Sequence, residues 1–158
     1  VPEHALRTPR FDRVTKNHRS KVLIAGCAVA GVATLGACSP GDVSSGARAV
    51  NIASQYIGTP YVYGGAAPGG FDCSGLTQYV YAQLGRGLPR SAEAQYEAAQ
   101  KIPQSWAQKG DLIFFGSPGS VYHVGIYEGN GVIEHAARPG TNVEYIRIWT
   151  GDYMVGRV

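Results

Sequence analysis

Apolar residues follow a helical period in the first part of this chain and come in short strand-like runs in the second. From Ala47 to Ile57, the positions Val50, Ala53, Tyr56 and Ile57 recur at helical spacing, with Ser44 and Ser45 ahead of them as candidate caps and Gly58 as a stop. That segment reads as a helix. A Gly/Pro-rich stretch from Thr59 to Gly70 reads as a loop. Beyond it, Leu76, Val80 and Leu84 fall on one face of a second helix from Cys73 to about Leu84, with Asp72 placed to cap its start and Gly85 to end it. A short third helix begins at Ser91. Then the pattern changes: residues 111–116, 121–128, 132–137, 143–149 and 153–158 all read as strands bounded by turn residues. Helices first and a strand meander afterwards predict an α+β domain.

The N-terminal region has a different build. A basic stretch precedes the uncharged apolar run Val22 to Leu35, and the small residues Gly36 and Ala37 follow it before Cys38. This is the order of an export signal, and its apolar part falls short of the roughly 20 residues that span a bilayer. Leu35-Gly36-Ala37-Cys38 is also similar to a lipobox, in which Cys38 becomes the lipidated first residue of the mature protein. An ordinary signal cut after Ala37 or later is the equal alternative. Either way the protein is expected to be exported to the cell envelope, touching the membrane only through the signal or a lipid anchor. The expected organisation is a signal over 1–38, a Ser/Gly-rich linker over 39–46 and one catalytic domain over 47–158, a size that leaves room for one active site.

Charge supports that division. Six Lys/Arg and two acidic residues put +4 into residues 1–38, so the whole-chain charge of +3 leaves −1 for the rest. No basic cluster remains there for a phosphate backbone, and no nucleic-acid partner is expected. Of the three cysteines, Cys27 lies in the signal and Cys38 is the lipidation candidate, which leaves Cys73 as the thiol of the globular part. A lone thiol in an exported chain is either reactive or buried and inert. Its surroundings decide between the two.

Asp72-Cys73-Ser74-Gly75 places that thiol in the first turn of a helix, where free N–H groups and the helix dipole favour a thiolate. The same N–H groups can donate to the oxyanion formed when a thiolate attacks a carbonyl. Two histidines, His123 and His135, flank the turn Glu128-Gly129-Asn130-Gly131. A two-residue Asn130-Gly131 turn would send their rings to opposite faces. A three-residue Gly129-Asn130-Gly131 turn pairs Glu128 with Val132, so paired numbers sum to 260, and sets His135 opposite Gly125 with His123 one diagonal step away, about 7 Å between backbones. The second register is expected, with Gly125 leaving space beside both rings. Either histidine alone reads equally as a core or a solvated residue. With Cys73, they suit nucleophilic acyl transfer: His123 takes the proton of Cys73 and His135 orients the imidazole. Zinc is the competing use of a Cys and two His, but no fourth ligand or CxxC spacing appears, so neither metal nor cofactor is expected. No serine stands in a nucleophile elbow.

Ile57-Gly58-Thr59-Pro60-Tyr61-Val62-Tyr63-Gly64-Gly65, Gly70-Phe71-Asp72-Cys73-Ser74-Gly75-Leu76, Leu88-Pro89-Arg90, Gly110-Asp111-Leu112-Ile113-Phe114-Phe115, His123-Val124-Gly125-Ile126-Tyr127 and His135-Ala136 together resemble the successive blocks of the NlpC/P60 family, from about residue 47 to the end. The resemblance implies a papain-like fold with N-terminal helices packed on a C-terminal antiparallel sheet of about five strands. It implies cleavage of peptidoglycan stem peptides, usually between D-γ-glutamate and a diamino acid, commonly meso-diaminopimelate, by a D,L-endopeptidase. Residue by residue, Cys73 matches the nucleophile, His123 the base and His135 the third polar residue. Tyr61 matches a tyrosine whose hydroxyl lies near the oxyanion site, although by itself it reads as a packed loop aromatic. Asp72 and Ser74 match positions that bind the substrate peptide in relatives recognising a free amine. Arg90 follows the pattern too, or is simply a solvated loop charge.

Two departures stand out. Lys109 replaces a common Pro, and Glu134 occupies a usually apolar position, where the expected register turns it away from the site with little consequence. The expected partner is a peptidoglycan peptide, met by a monomer with no wall-binding module between signal and catalytic domain. Two other readings remain open: a non-hydrolytic wall-binding or assembly protein with the same fold, and a papain-like amidase or acyltransferase using the same thiolate.

Overall fold

The computed structural model describes residues 40–158, with side chains from residue 45 on. The expected signal, with Cys27 and Cys38, lies outside them. Helix α1 (Pro40–Ala53) begins ahead of the expected start at Ala47 and gives way to a 3-10 turn at Ser54–Tyr56. Proline suits the first helical position, where its missing N–H leaves nothing unpaired. That start outweighs the Ser/Gly composition that suggested a linker. Helix α2 (Cys73–Gln83) starts where expected because Asp72 Oδ1 accepts the Gly75 N–H at 2.7 Å. It stops at Gly85, whose φ of +75° lets the Arg86 N–H turn back to the Tyr81 carbonyl. Helix α3 (Ala92–Ala98) is capped by Ser91, which accepts from the Ala94 N–H at 3.2 Å. The Gly/Pro-rich loop also contains a small hairpin of β1 (Ala66–Ala67) and β2 (Gly70–Phe71). Strands of two residues carry no readable alternation.

The five expected strands are present as β4 (Leu112–Ser117), β5 (Ser120–Gly129), β6 (Val132–His135), β7 (Glu144–Arg147) and β8 (Tyr153–Arg157). A further edge strand, β3 (Gln100–Ile102), pairs with β8 and was hidden by its polar residues and short length. The antiparallel sheet runs β3-β8-β4-β5-β6-β7. Leu112, Phe114, Val124 and Ile126 face the helices and pack with Phe71, Leu76 and Val80, whereas Ile113, Phe115, Ile133 and Val155 form a separate cluster on the other face. Strand β4 is therefore buried on both sides. Phe114 and Phe115 are both fully buried, and each contributes roughly 2–3 kcal/mol to its own layer.

The β5–β6 hairpin keeps the expected register but reaches it differently. Asn130 and Gly131, at φ +53° and +73°, form a two-residue turn that sets Gly129 opposite Val132. The register then shifts between Tyr127 and Gly129, so that Tyr127 faces Ile133 and Ile126 faces Glu134. An extra residue in β5 undoes the face reversal that the short turn would otherwise impose. His123 and His135 thus share a face. Gly125 serves this hairpin rather than the rings, since a Cβ there would lie 2.8 Å from Ile133 Cδ1 and 3.0 Å from the Glu134 carbonyl oxygen.

A buried amide joins the helices. Gln95 Nε2 donates to the carbonyls of Ser74 and Pro89, both at 2.9 Å, and its Oε1 accepts from the Thr77 hydroxyl at 2.7 Å. Gln95→Leu leaves buried carbonyls without a donor and should lower stability by about 3 kcal/mol, measured as a shifted urea midpoint. An unchanged midpoint would show that the amide bonds contribute nothing net.

Candidate active site

The start of α2 is held from both sides. Asp72 Oδ2 accepts the Gly64 N–H at 3.0 Å while Oδ1 caps the helix, and a Cβ at Gly75 would come within 1.9 Å of the Gly65 carbonyl oxygen. Only glycine allows this close approach of loop and helix. Cys73, half-buried, follows the cap and packs against the core cluster that contains Val124 of β5, with the backbone N–H groups of Val124 and Ser74 near enough to act on its sulfur. Since Val124 directly follows His123, the thiol lies against the strand that carries the imidazole.

Burial pushes the Cys73 thiol above its ordinary value, the two N–H donors lower it, and the Asp72 carboxylate raises it further, with a net upward result. The thiolate expected from the helix start is therefore not the resting form. The helix terminus favours negative charge, but its first-turn donor at Gly75 is already taken by Asp72.

His123 Nε2 and His135 Nδ1 lie 2.8 Å apart, and both rings are buried. Burial first, and then His135, pushes the His123 pKa down to about 4. Burial also lowers His135, opposed by the Glu144 carboxylate. Both imidazoles are neutral at pH 7. Glu144 is the cross-strand partner of His135, with Oε1 4.0 Å from its Nε2, beyond hydrogen-bond reach of an atom that is buried and otherwise without a partner. The nearby carboxylate favours a proton on that Nε2. His135 Nδ1 then accepts from the His123 Nε2–H, which leaves the lone pair of the pair on His123 Nδ1.

Trp149 covers the two rings. It stacks on Phe115 at 4.1 Å and 12°, and its centroid lies 6.0 Å from each imidazole. Periodicity marked it only as the end of a strand, and its position depends on how the segment after β7 folds back. Trp149→Ala should admit water and move the His123 pKa from about 4 toward its ordinary value of 6.5, followed by NMR titration of the imidazoles. A titration midpoint unchanged from that of the parent would show that the indole does not keep the pair dry.

Two clefts border these groups. One, of about 490 Å³, is lined by Tyr61, Asp72, Cys73, Ser74, Arg90 and Tyr122 among others, and the second, of about 400 Å³, by Tyr122, His123, His135, Ala137, Arg138 and Trp149. Tyr122, 68% exposed, borders both. In the first cleft Arg90 is not a solvated charge: Nη1 donates to Asp72 Oδ1 and Ser74 Oγ, both at 2.9 Å, and Nη2 to Asp72 Oδ2. Burial pushes the Asp72 carboxyl up, but Arg90 and the N–H groups of Gly75 and Gly64 outweigh it and hold the group below its ordinary value. Tyr61 stands close enough to Cys73 and Asp72 that their charges, after burial, raise its phenol.

Glu134 turns away from the histidines as expected, yet with a large consequence. It is fully buried on the helix-facing side beside Tyr145 and Glu128, and burial, opposed by the Tyr145 hydroxyl, pushes its pKa up to about 8. Among the described residues, no group of three or more His, Cys, Asp or Glu is placed to hold a metal ion, and no helix is long and apolar enough to cross a membrane.

Comparison with known proteins follows the same residues. The chain matches the NlpC/P60 family over residues 58–157. It is 48% identical over 114 residues to Protein P54 of Enterococcus faecium, covering 70% of this chain and 22% of that protein. It is 45% identical over 106 residues to the probable endopeptidase p60 of Listeria seeligeri, covering 66% and 20%. The chain thus spans about a fifth of the length of these curated relatives. Among solved structures it is similar to the NlpC/p60 domain of the peptidoglycan hydrolase SagA, with a TM-score of 0.67 and 48% identity over 70% of this chain and 97% of that one. The peptidoglycan hydrolase RipB of Mycobacterium tuberculosis superposes with a TM-score of 0.66 at 32% identity, over 72% and 64% of the two chains.

Proposed function

This chain belongs to the NlpC/P60 family, and from that premise we propose that it is a cysteine peptidase cutting peptidoglycan stem peptides at the D-γ-glutamyl–diamino acid bond. The observation that carries the reading is a thiol at the start of α2 packed against the core cluster that holds Val124, one residue from an imidazole that a second histidine meets at 2.8 Å. A raised thiol and a lowered imidazole make the resting pair neutral, so the proton moves during attack. His123 Nδ1 accepts it as the sulfur bonds to the γ-carbonyl carbon. N–H groups at the start of α2, with the Tyr61 hydroxyl, stabilise the oxyanion. The imidazolium then protonates the departing α-amine as the C–N bond breaks, leaving a thioester on Cys73. Water, deprotonated by His123, hydrolyses the thioester and frees the D-glutamate γ-carboxylate. His135 acts by holding the His123 ring and its tautomer.

Asp72, Ser74 and Arg90 bind the acyl half as one unit. Both Asp72 oxygens already serve Arg90 and backbone N–H groups, so a substrate meets a paired carboxylate there. Export through residues 1–38, either with lipid attachment at Cys38 or with an ordinary signal cut after Ala37 or later, belongs to the same reading, because a monomeric wall hydrolase must reach its substrate.

Digestion of purified peptidoglycan followed by mass spectrometry tests the assignment. The expected products carry a new free amine on the diamino acid and a free γ-carboxyl on D-glutamate. Intact stem peptides released from the lactyl group would instead identify an amidase. Retention on the wall without any fragment would identify a binding protein.

A further inference from the structure

Helix α3 is bonded to both of the elements that carry the reacting pair. On one side Gln95 donates to the Ser74 carbonyl at 2.9 Å, one residue from Cys73. On the other, the Glu93 carboxylate accepts two backbone N–H groups, Gly119 on Oε1 at 2.9 Å and Val121 on Oε2 at 2.5 Å, and Val121 stands two residues from His123. We infer that α3 is a bracket between the helix of the nucleophile and the strand of the base, with Glu93 as the positioning residue that fixes His123 against Cys73. The inference rests on the peptidase reading and adds to it a residue that acts on the reacting pair through β5.

The β4–β5 ladder is interrupted next to His123. Phe115 pairs with His123 and Gly116 with Val121, which leaves Tyr122 as an extra residue in β5. Such a bulge disrupts the ladder locally and bends the strand. Beyond it, Gly116 and Gly119 hold φ of +119° and +83°, so the tip of the hairpin contains two residues free of side-chain restraint. Glu93 adds an anchor from outside the sheet at the point where the ladder is weakest. A carboxylate accepting N–H groups makes charge-assisted bonds, stronger than neutral ones. The other end of the bracket is equally fixed, because Ser91 caps α3 and Gln95 bonds the carbonyls of Ser74 and Pro89.

Release of that anchor lets the start of β5 move relative to α2, and the imidazole moves with it. Proton transfer requires sulfur and ring nitrogen within hydrogen-bond reach, and a displacement of about 1 Å can cost roughly 100-fold in rate. Glu93 also lines the first cleft beside Tyr122, so direct contact with the substrate is the rival role. Kinetics separate the two, since lost positioning lowers kcat whereas lost binding raises KM.

Glu93→Ala should lower kcat on a peptidoglycan-derived stem peptide roughly 10- to 100-fold, with KM within about twofold of the parent. Glu93→Gln, whose amide oxygen still accepts one N–H, should recover part of that loss. Hydrogen exchange followed by NMR should show the Gly119 and Val121 amides exchanging faster in Glu93→Ala while those of α2 keep their protection. Because the bracket fails when either end is released, Glu93→Ala combined with Gln95→Leu should lose little more activity per folded molecule than the worse single variant. Parental exchange at both amides overturns the inference, as does a parental kcat once they are released. A KM that rises while kcat holds, or a double loss equal to the product of the single ones, does the same. Should Glu93→Ala fail to fold, the split between kcat and KM in Glu93→Gln decides. Absence of γ-glutamyl cleavage by the parent overturns the peptidase reading, and the positioning role with it, whatever the exchange rates show.

Discussion

Cys73→Ala should lower kcat/KM on a peptidoglycan-derived stem peptide by roughly 10⁴-fold or more, since nothing else at the site can take the place of the sulfur. Ser74 is the nearest hydroxyl in sequence, and its oxygen already accepts from Arg90 at 2.9 Å and lies 3.4 Å from Asp72 Oδ1. The substitution leaves the Asp72 cap and the Gln95 bonds intact, so folding should change by only about 1 kcal/mol. Iodoacetamide supplies an independent check. A thiol raised by burial should alkylate more slowly at pH 7 than a free cysteine, with a rate that climbs as the pH passes its ordinary value of 9.0. Activity and free thiol should disappear together. Turnover surviving complete alkylation would exclude Cys73 as the nucleophile.

The second large effect concerns stability. Glu134→Gln should raise the unfolding free energy by about 3 kcal/mol at pH 7 and hardly at all at pH 4. The folded-state pKa of Glu134, about 8, lies above its ordinary 4.5, so the native protein holds a proton that the unfolded chain releases. Stability is then full below pH 4.5, falls as pH rises, and stops falling above about 8. Glutamine has nothing to ionise and escapes that loss. The surroundings support a protonated acid. Glu128 on β5 is itself raised by burial, with Lys109 pulling it down, and Tyr145 on β7 is pushed up to about 12 by burial first and then by Glu134. Urea titrations of both proteins at pH 4 and pH 7 provide the measurement. Equal differences at the two pH values would mean that Glu134 is ionised in the native state.

Much of the site was legible because its signals are local. A cap residue before a helical stripe placed Cys73 at the start of α2, and strand alternation across the β5–β6 hairpin put His123 and His135 on one face. The shared face survived an error in the turn because burial of that hairpin specifies the register, and the extra residue in β5 adjusts the turn to it. The start of α1, strand β3 and the β1–β2 hairpin escaped because a proline at the first helical position, three polar-rich residues or two-residue strands carry no periodic signal.

The sequence by itself determined the fold class, the element carrying each candidate residue and the pairing of the two histidines, all of which follow from patterns within one or two neighbouring elements. Tertiary structure alone decided which protonation state each group holds and which partner it finds. The indole of Trp149 over the imidazoles, the capture of Asp72 by Arg90, the carboxylate of Glu144 beside His135 and the buried acid of Glu134 all depend on how separate elements pack against one another. Desolvation and charge pairing depend on what is packed around a group in space, and no spacing along the chain records it.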